Sequence, residues 1–155
     1  ISRYGFKPIR NLSGHEIRRY ILHTGMSIPN VKTKEAHKLE NGRIYAIEPF
    51  VTLGSGSGLV ISTSSVNIFS VSMGSNHDDR LSGEELNLLK MLRESTKGLP
   101  YTLRWLEKEK WPLHEKLVKK GVARGYPVLV EKMGAPVAQA EHTVIVLEDG
   151  CEIIT

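Results

Sequence analysis

The stretch Pro136–Gly150, PVAQAEHTVIVLEDG, decides how the chain is read. Val144, Ile145, Val146 and Leu147 form a short, bounded run of β-branched and apolar residues, which reads as a strand. Gln139, Glu141 and His142 stand just ahead of that run, inside the same stretch. An ionised carboxylate buried without a partner is strongly destabilising. Glu141 must therefore be paired, exposed or bound to a cation.

The same interruption recurs twice upstream. His15 stands in NLSGHEI and Glu48 in IYAIEPF, each a titratable residue set into strand-like sequence. The three positions lie 33 and 93 residues apart along the chain, so they form no local metal motif, and spacing alone is satisfied by three unrelated polar residues. Chemical type argues the other way: two carboxylates and an imidazole make a hard donor set suited to Mn²⁺, Fe²⁺, Co²⁺ or Zn²⁺. His15 and His23 share a face of an ideal strand but lie about 26 Å apart on it at about 3.3 Å per residue. Both serve one small site only if the chain turns between them; otherwise His23 is a hydrogen-bonded sheet histidine. His142 alternates to the face opposite Glu141, which suits a supporting role better than that of a ligand.

At 155 residues, with 40% hydrophobic and 25% charged residues, the chain is long enough to bury one core and is ordinary for a soluble globular protein. Its apolar runs fall well short of the ~20 residues of a membrane span, and the opening ISRYGFKPIRN has no signal-like segment, so a cytoplasmic chain without a membrane partner is expected. The lone Cys151 has no internal disulfide partner. A net charge of +4 would suit an acidic partner such as RNA, but Lys and Arg alternate with Glu in RWLEKEKWPLHEKLVKK, as on a solvated helical face. The chain opens at Ile1 without an initiator methionine and runs at once into strand-like sequence, so a fragment or processed chain is expected.

Residues 8–52 read as sheet and turns, with RIYAIEPFVT as a strand around Glu48 and the GSGSG of Gly54–Gly58 as a turn before β-prone LVISTSSVNIFSVS. From Ser82 to Gly121 the pattern becomes helical: Ser82 and Glu85 stand at capping-box spacing, and Gly121 is a helix stop. YPVLVE, the Pro136–Gly150 stretch and the terminal CEIIT return to strand. GSGSG lacks the Lys-Ser/Thr of a phosphate loop and precedes strand rather than helix. His77, Asp78 and Asp79 in NHDDR read as a solvated turn before a helix, His37 and His114 as surface residues among charges, and neither a GxSxG elbow nor a histidine near Cys151 offers a nucleophile.

NLSGHEIRRYILHTGMSIPNV, GRIYAIEPFVTLGSGSG, LPYTLRWL, YPVLVEKMGAPVAQAEHTVIV and the terminal IIT, in this order over nearly the whole chain, resemble the C-terminal half of an archaeal type 2 methionine aminopeptidase. The resemblance implies an α/β (α+β) pita-bread fold, residues 1–155 forming the C-terminal part of the catalytic domain and residues 75–125 the helical insertion that marks type 2. It implies two divalent metal ions, Co, Mn, Fe or Zn, with His15 and Glu48 on one and Glu141 bridging both. His23 would contact substrate near the scissile peptide, Glu48 would shuttle the proton, and Leu22, Tyr101 and Tyr126 would line the methionine pocket, unless the latter three only pack the core. Two aspartate ligands and a further catalytic histidine would come from the N-terminal half of the same protein, which is thus an expected partner.

The resulting expectation is removal of initiator methionine from nascent polypeptides and peptides, with the ribosome as a further partner. The alternative is a catalytically silent pita-bread homologue that binds RNA or protein, against which stands the presence of His15, His23, Glu48 and Glu141 together. A proline-specific peptidase of the same fold is disfavoured by AQAEHT and by the helical block.

Overall fold

The computed structural model describes residues 1–34, 37–74 and 78–155. Ten strands and two α-helices are formed among them: β1 (Phe6–Pro8), β2 (Ser13–Ile17), β3 (Ser27–Pro29), β4 (Ile44–Ile47), β5 (Phe50–Leu53), β6 (Val60–Val71), α1 (Gly83–Thr96), α2 (Trp111–Lys119), β7 (Ala123–Glu131), β8 (Val137–Gln139), β9 (His142–Leu147) and β10 (Gly150–Ile153). The chain divides into two compact units, one made of residues 1–62 and 129–155, the other of residues 63–128. Among the described residues no helix is long and apolar enough to cross a membrane.

The first unit holds two antiparallel sheets, a five-stranded one in the order β10-β9-β4-β2-β3 and a three-stranded one in the order β1-β5-β8. The stretch that reads as one strand around Glu48 is two. β4 ends at Ile47 and β5 begins at Phe50, because Pro49 has no N–H to donate to a ladder. The facing stretch breaks at the same level, β8 ending at Gln139 and β9 starting at His142. Ile47 pairs with His142 on one side of the break and Phe50 with Gln139 on the other, while Ala140 N–H donates to Pro49 O at 3.2 Å. Glu48 and Glu141 thus occupy facing interruptions where two adjacent strands pass from one sheet to the next.

The loop from GSGSG is fastened to the end of β7. Glu131, 3% exposed, accepts at Oε1 from the Ser57 N–H (2.5 Å), the Ser57 hydroxyl and the Gly58 N–H (3.2 Å), and at Oε2 from the N–H groups of Met133 (2.7 Å) and Ala135 (3.2 Å). The Ser57 hydroxyl, then the N–H groups, outweigh burial and lower its pKa from 4.5 to about 2.

In the second unit the expected capping box is formed: Ser82 Oγ accepts from Glu85 N–H at 3.3 Å and Glu85 Oε2 from Ser82 N–H at 2.7 Å. α1 ends where Lys97 and Gly98 adopt left-handed backbone, and α2 starts with Pro112 in its first turn. Leu88, Leu89 and Leu92 of α1 pack with Leu117 of α2 and with Phe69, Val71, Tyr101, Val122 and Ala123. His114 is not a surface residue. It lies one turn before Leu117 on the packed face of α2, is 1% exposed, and its Nε2 meets the Tyr101 hydroxyl at 2.8 Å. Burial lowers its pKa, so the ring stays neutral in this core. His37 is exposed, as expected. Of the NHDDR residues, His77 lies outside the described residues, as do positions 75–77 of the 75–125 block, and Asp78 pairs with Arg93 at 2.7 Å.

The Glu131 cage sets a pH dependence. A carboxyl with a folded pKa near 2 and an ordinary value of 4.5 stabilises the fold fully above about pH 4.5, and that contribution drains away as pH falls from there toward 2. Glu131→Gln should therefore lower the urea midpoint at pH 7 and close much of its gap to the parent at pH 3; an equal gap at both pH values would contradict the cage.

Candidate functional site

A cavity of about 390 Å³ in the first unit has His15, Leu22, His23, Glu48 and Glu141 on its walls, with Phe50 among the apolar residues around them. The strand break delivers the two glutamates, and β2 delivers His15 beside them, paired in register with Ala46. Close approach of β2 to β4 depends on Gly14, since a Cβ there would overlap the Ala46 carbonyl oxygen and sit 3.2 Å from the Glu48 nitrogen.

His15 Nε2 lies 2.9 Å from Glu48 Oε1, both side chains being shielded, at 8% and 14% exposure. The Gln139 amide nitrogen spans the glutamates, donating to Glu48 Oε2 at 3.1 Å and reaching Glu141 Oε2 at a longer 3.5 Å. Glu48 is raised above the usual carboxylate range by burial first and by the Glu141 charge second, against the pull of His15. Glu141 itself is exposed, which removes the burial cost that its place in an apolar stretch implied.

The chain does turn between the two histidines. β2 ends at Ile17, Arg18 and Ile21 exchange backbone hydrogen bonds of 2.9 and 2.8 Å, and Tyr20 takes left-handed backbone with φ 60° at the tip. His23 returns with its ring centroid 3.9 Å from that of His15. Burial, and then His15, lower the His23 pKa and keep its imidazole neutral. His15 Nδ1 is buried and has no hydrogen-bond partner. His142 points elsewhere, its Nδ1 2.7 Å from the Thr155 carbonyl oxygen.

Tyr101 and Tyr126 belong to the second unit. Tyr101 is 2% exposed in the core described above, and burial raises its hydroxyl pKa. Tyr126 is 38% exposed, with its hydroxyl 3.1 Å from that of Ser70. Leu22 is half-exposed at the cavity of the first unit.

The residue that sequence reasoning missed is Glu16. Only 6% exposed, it holds the Thr24 hydroxyl at 2.6 Å, Arg43 at 2.8 Å and Arg18 at 3.1 Å. The Thr24 hydroxyl, and then Arg43 and Arg18, lower its pKa to about 2 against the effect of burial, so it is a fixed anion. A glutamate one residue from a candidate ligand, on the opposite strand face and near two arginines in sequence, was the available signal.

Among the described residues, no group of three or more His, Cys, Asp or Glu side chains is placed to hold a metal ion, so His15, Glu48 and Glu141 do not by themselves form the expected ligand set. What the chain presents is a partial donor set that fits a cation. The 2.9 Å between His15 Nε2 and Glu48 Oε1 suits adjacent donors at about 2.0–2.2 Å from one first-row ion, and a cation would relieve the Glu48–Glu141 repulsion.

No family model matches the chain. It is 41% identical to a methionine aminopeptidase of Methanothermobacter thermautotrophicus, 40% to one of Saccharolobus solfataricus and 41% to one of Archaeoglobus fulgidus, each comparison covering 100% of this chain and 52% of the relative. The chain therefore spans about half the length of the curated relatives it matches. Among solved structures it resembles a thermophilic Arx1 (TM-score 0.78, 19% identity, 99% of this chain and 42% of that one) and the methionine aminopeptidase of Rickettsia prowazekii (TM-score 0.51, 18% identity, 98% and 37%). These likenesses establish the pita-bread fold.

Gly14 provides a direct test of how the site is assembled. Gly14→Ala forces β2 away from the β4–Glu48 backbone and should cost about 1–3 kcal/mol in urea unfolding. Unchanged stability would show that the close approach is not needed.

Proposed function

The chain belongs to the methionine aminopeptidase family, whose C-terminal half it matches, and on that basis we propose that it supplies part of a metal-dependent site that removes the initiator methionine from nascent proteins and peptides. The observation that supports the reading is the place of His15, Glu48, Glu141 and His23 on the walls of one cavity at a strand break, with His15 and Glu48 in direct contact. Type 2 is the class we favour, because a helical block lies between Glu48 and Glu141, and we take residues 75–125 as an insertion within one catalytic domain spanning residues 1–155.

His15, Glu48 and Glu141 would hold part of a pair of divalent ions, Co, Mn, Fe or Zn, the remaining ligands coming from the N-terminal half of the same protein. Such ions supply Lewis acidity, polarising the first peptide carbonyl and making water a competent nucleophile at neutral pH. Glu48 would also take up and release the proton of the attacking water, at the oxygen that His15 does not hold. His23 offers a neutral imidazole to the peptide near the scissile bond, and Leu22 an apolar wall to the methionine side chain. We place the activity in the cytoplasm, on peptide N-termini emerging from the ribosome.

The test is hydrolysis of a Met-Ala-Ser peptide by the full-length protein with added Mn²⁺ or Co²⁺. Glu141→Ala should lose roughly 10²-fold in activity, chelation should abolish it, and this chain alone should show little. An active Glu141→Ala enzyme, or hydrolysis indifferent to chelator, would refute the metal role. A full-length protein that binds the ions but cleaves no peptide would favour the silent, RNA- or protein-binding alternative.

A further inference from the structure

The segment that carries His23 leaves β2 after Ile17 and comes back alongside it. On its return two side-chain contacts bind it to β2: the His23 ring meets the His15 ring, and the Thr24 hydroxyl meets the Glu16 carboxylate. His23 and Thr24 are adjacent in the chain, so fixing Thr24 confines the place that His23 can take.

The Arg18–Ile21 bridge holds one end of the segment and the β2–β3 ladder the other, and between them three hydrogen bonds tie it to Glu16. Its N–H donates to Met26 O at 3.1 Å, its carbonyl accepts from Thr24 N–H at 3.3 Å, and its Oε2 accepts from the Thr24 hydroxyl at 2.6 Å. The two backbone bonds are available to any residue at that position; the third depends on the side chain. It is held still from behind, because Oε1 is gripped by Arg43 at 2.8 Å and Arg18 at 3.1 Å, and Arg43 is itself braced by Glu40 at 2.9 Å. A carboxylate fixed by two guanidiniums offers a stationary acceptor to one hydroxyl. His23, by contrast, makes no hydrogen bond to β2 of its own among the contacts described; its place follows from its neighbour.

We propose that Glu16 is a positioning residue, clasping Thr24 to fix the returning segment and so hold His23 against His15 at the cavity. The proposal rests on the functional reading above only in giving His23 a role toward substrate; the clasp is a matter of geometry.

The experiment uses the full-length protein loaded with Mn²⁺ or Co²⁺ for turnover of Met-Ala-Ser, and the metal-free protein with labelled histidines for NMR. Thr24→Val removes the hydroxyl at nearly constant shape. It should erase the nuclear Overhauser contacts between the His15 and His23 rings and lower kcat roughly 10²-fold, the size of effect that a displacement of about 1 Å produces, with the fold intact by circular dichroism. Thr24→Ser, which keeps the hydroxyl, should restore both the ring contacts and the turnover. If Thr24→Val does not fold, Thr24→Ala carries the same comparison. Ring contacts that persist in a folded variant without the hydroxyl would overturn the proposal. Lost ring contacts with unchanged turnover would sustain the clasp and overturn the role assigned to His23, so the two failures are distinguishable.

Discussion

A proline that cannot donate a ladder hydrogen bond organises the site. Pro49 ends the pairing of β4, the facing strand breaks between Gln139 and His142, and the residues left at the two interruptions are Glu48 and Glu141. In a continuous ribbon both carboxyls would be committed to one sheet face and to its packing. At a break they are free to turn toward the cavity, while Ala140 N–H still satisfies Pro49 O, so the passage from one sheet to the other costs little hydrogen bonding. Chemistry-bearing residues are concentrated where the backbone is irregular but supported on both sides by ladder.

The buried acids show how differently one chain treats the same group. Glu131 is surrounded by N–H and hydroxyl donors, Glu16 by two arginines and a threonine, and Glu85 by Lys120 at 2.6 Å and the Ser82 N–H; each is held as an anion well below its ordinary pKa. Glu48 moves the other way, since burial and Glu141 outweigh the contact with His15. The first three are satisfied within the chain and serve the fold. Glu48 is left wanting positive charge, which distinguishes a site from a staple.

The second unit illustrates a polar pair serving a core. Tyr101 and His114 bury each other's polar atoms, with Phe69 packed edge-on against the imidazole at 4.7 Å between centroids. Such a pair is tolerated because neither ring need be charged: burial raises the tyrosine and lowers the histidine, and one hydrogen bond joins the hydroxyl to the imidazole.

Local sequence determined which segments are strand and which helix, the capping box at Ser82 and Glu85, and the oddity of Glu48, Glu141 and His15 in apolar surroundings, because periodicity, caps and misplaced charge are written within a few residues. It also carried the family resemblance through ordered motifs. Tertiary structure alone decided that the odd residues stand at facing strand breaks, that His23 folds back onto His15, that Glu16 grips the returning segment, and that His114 is core. Most of these depend on a partner distant in sequence, such as Ala140 for Pro49, Arg43 for Glu16 or Phe69 for His114, and the return of His23 depends on how the local turn closes. A charged flank looks the same in sequence whether its helix faces solvent or a neighbour, and only the pairing of strands brings residues 33 and 93 positions apart to one cavity.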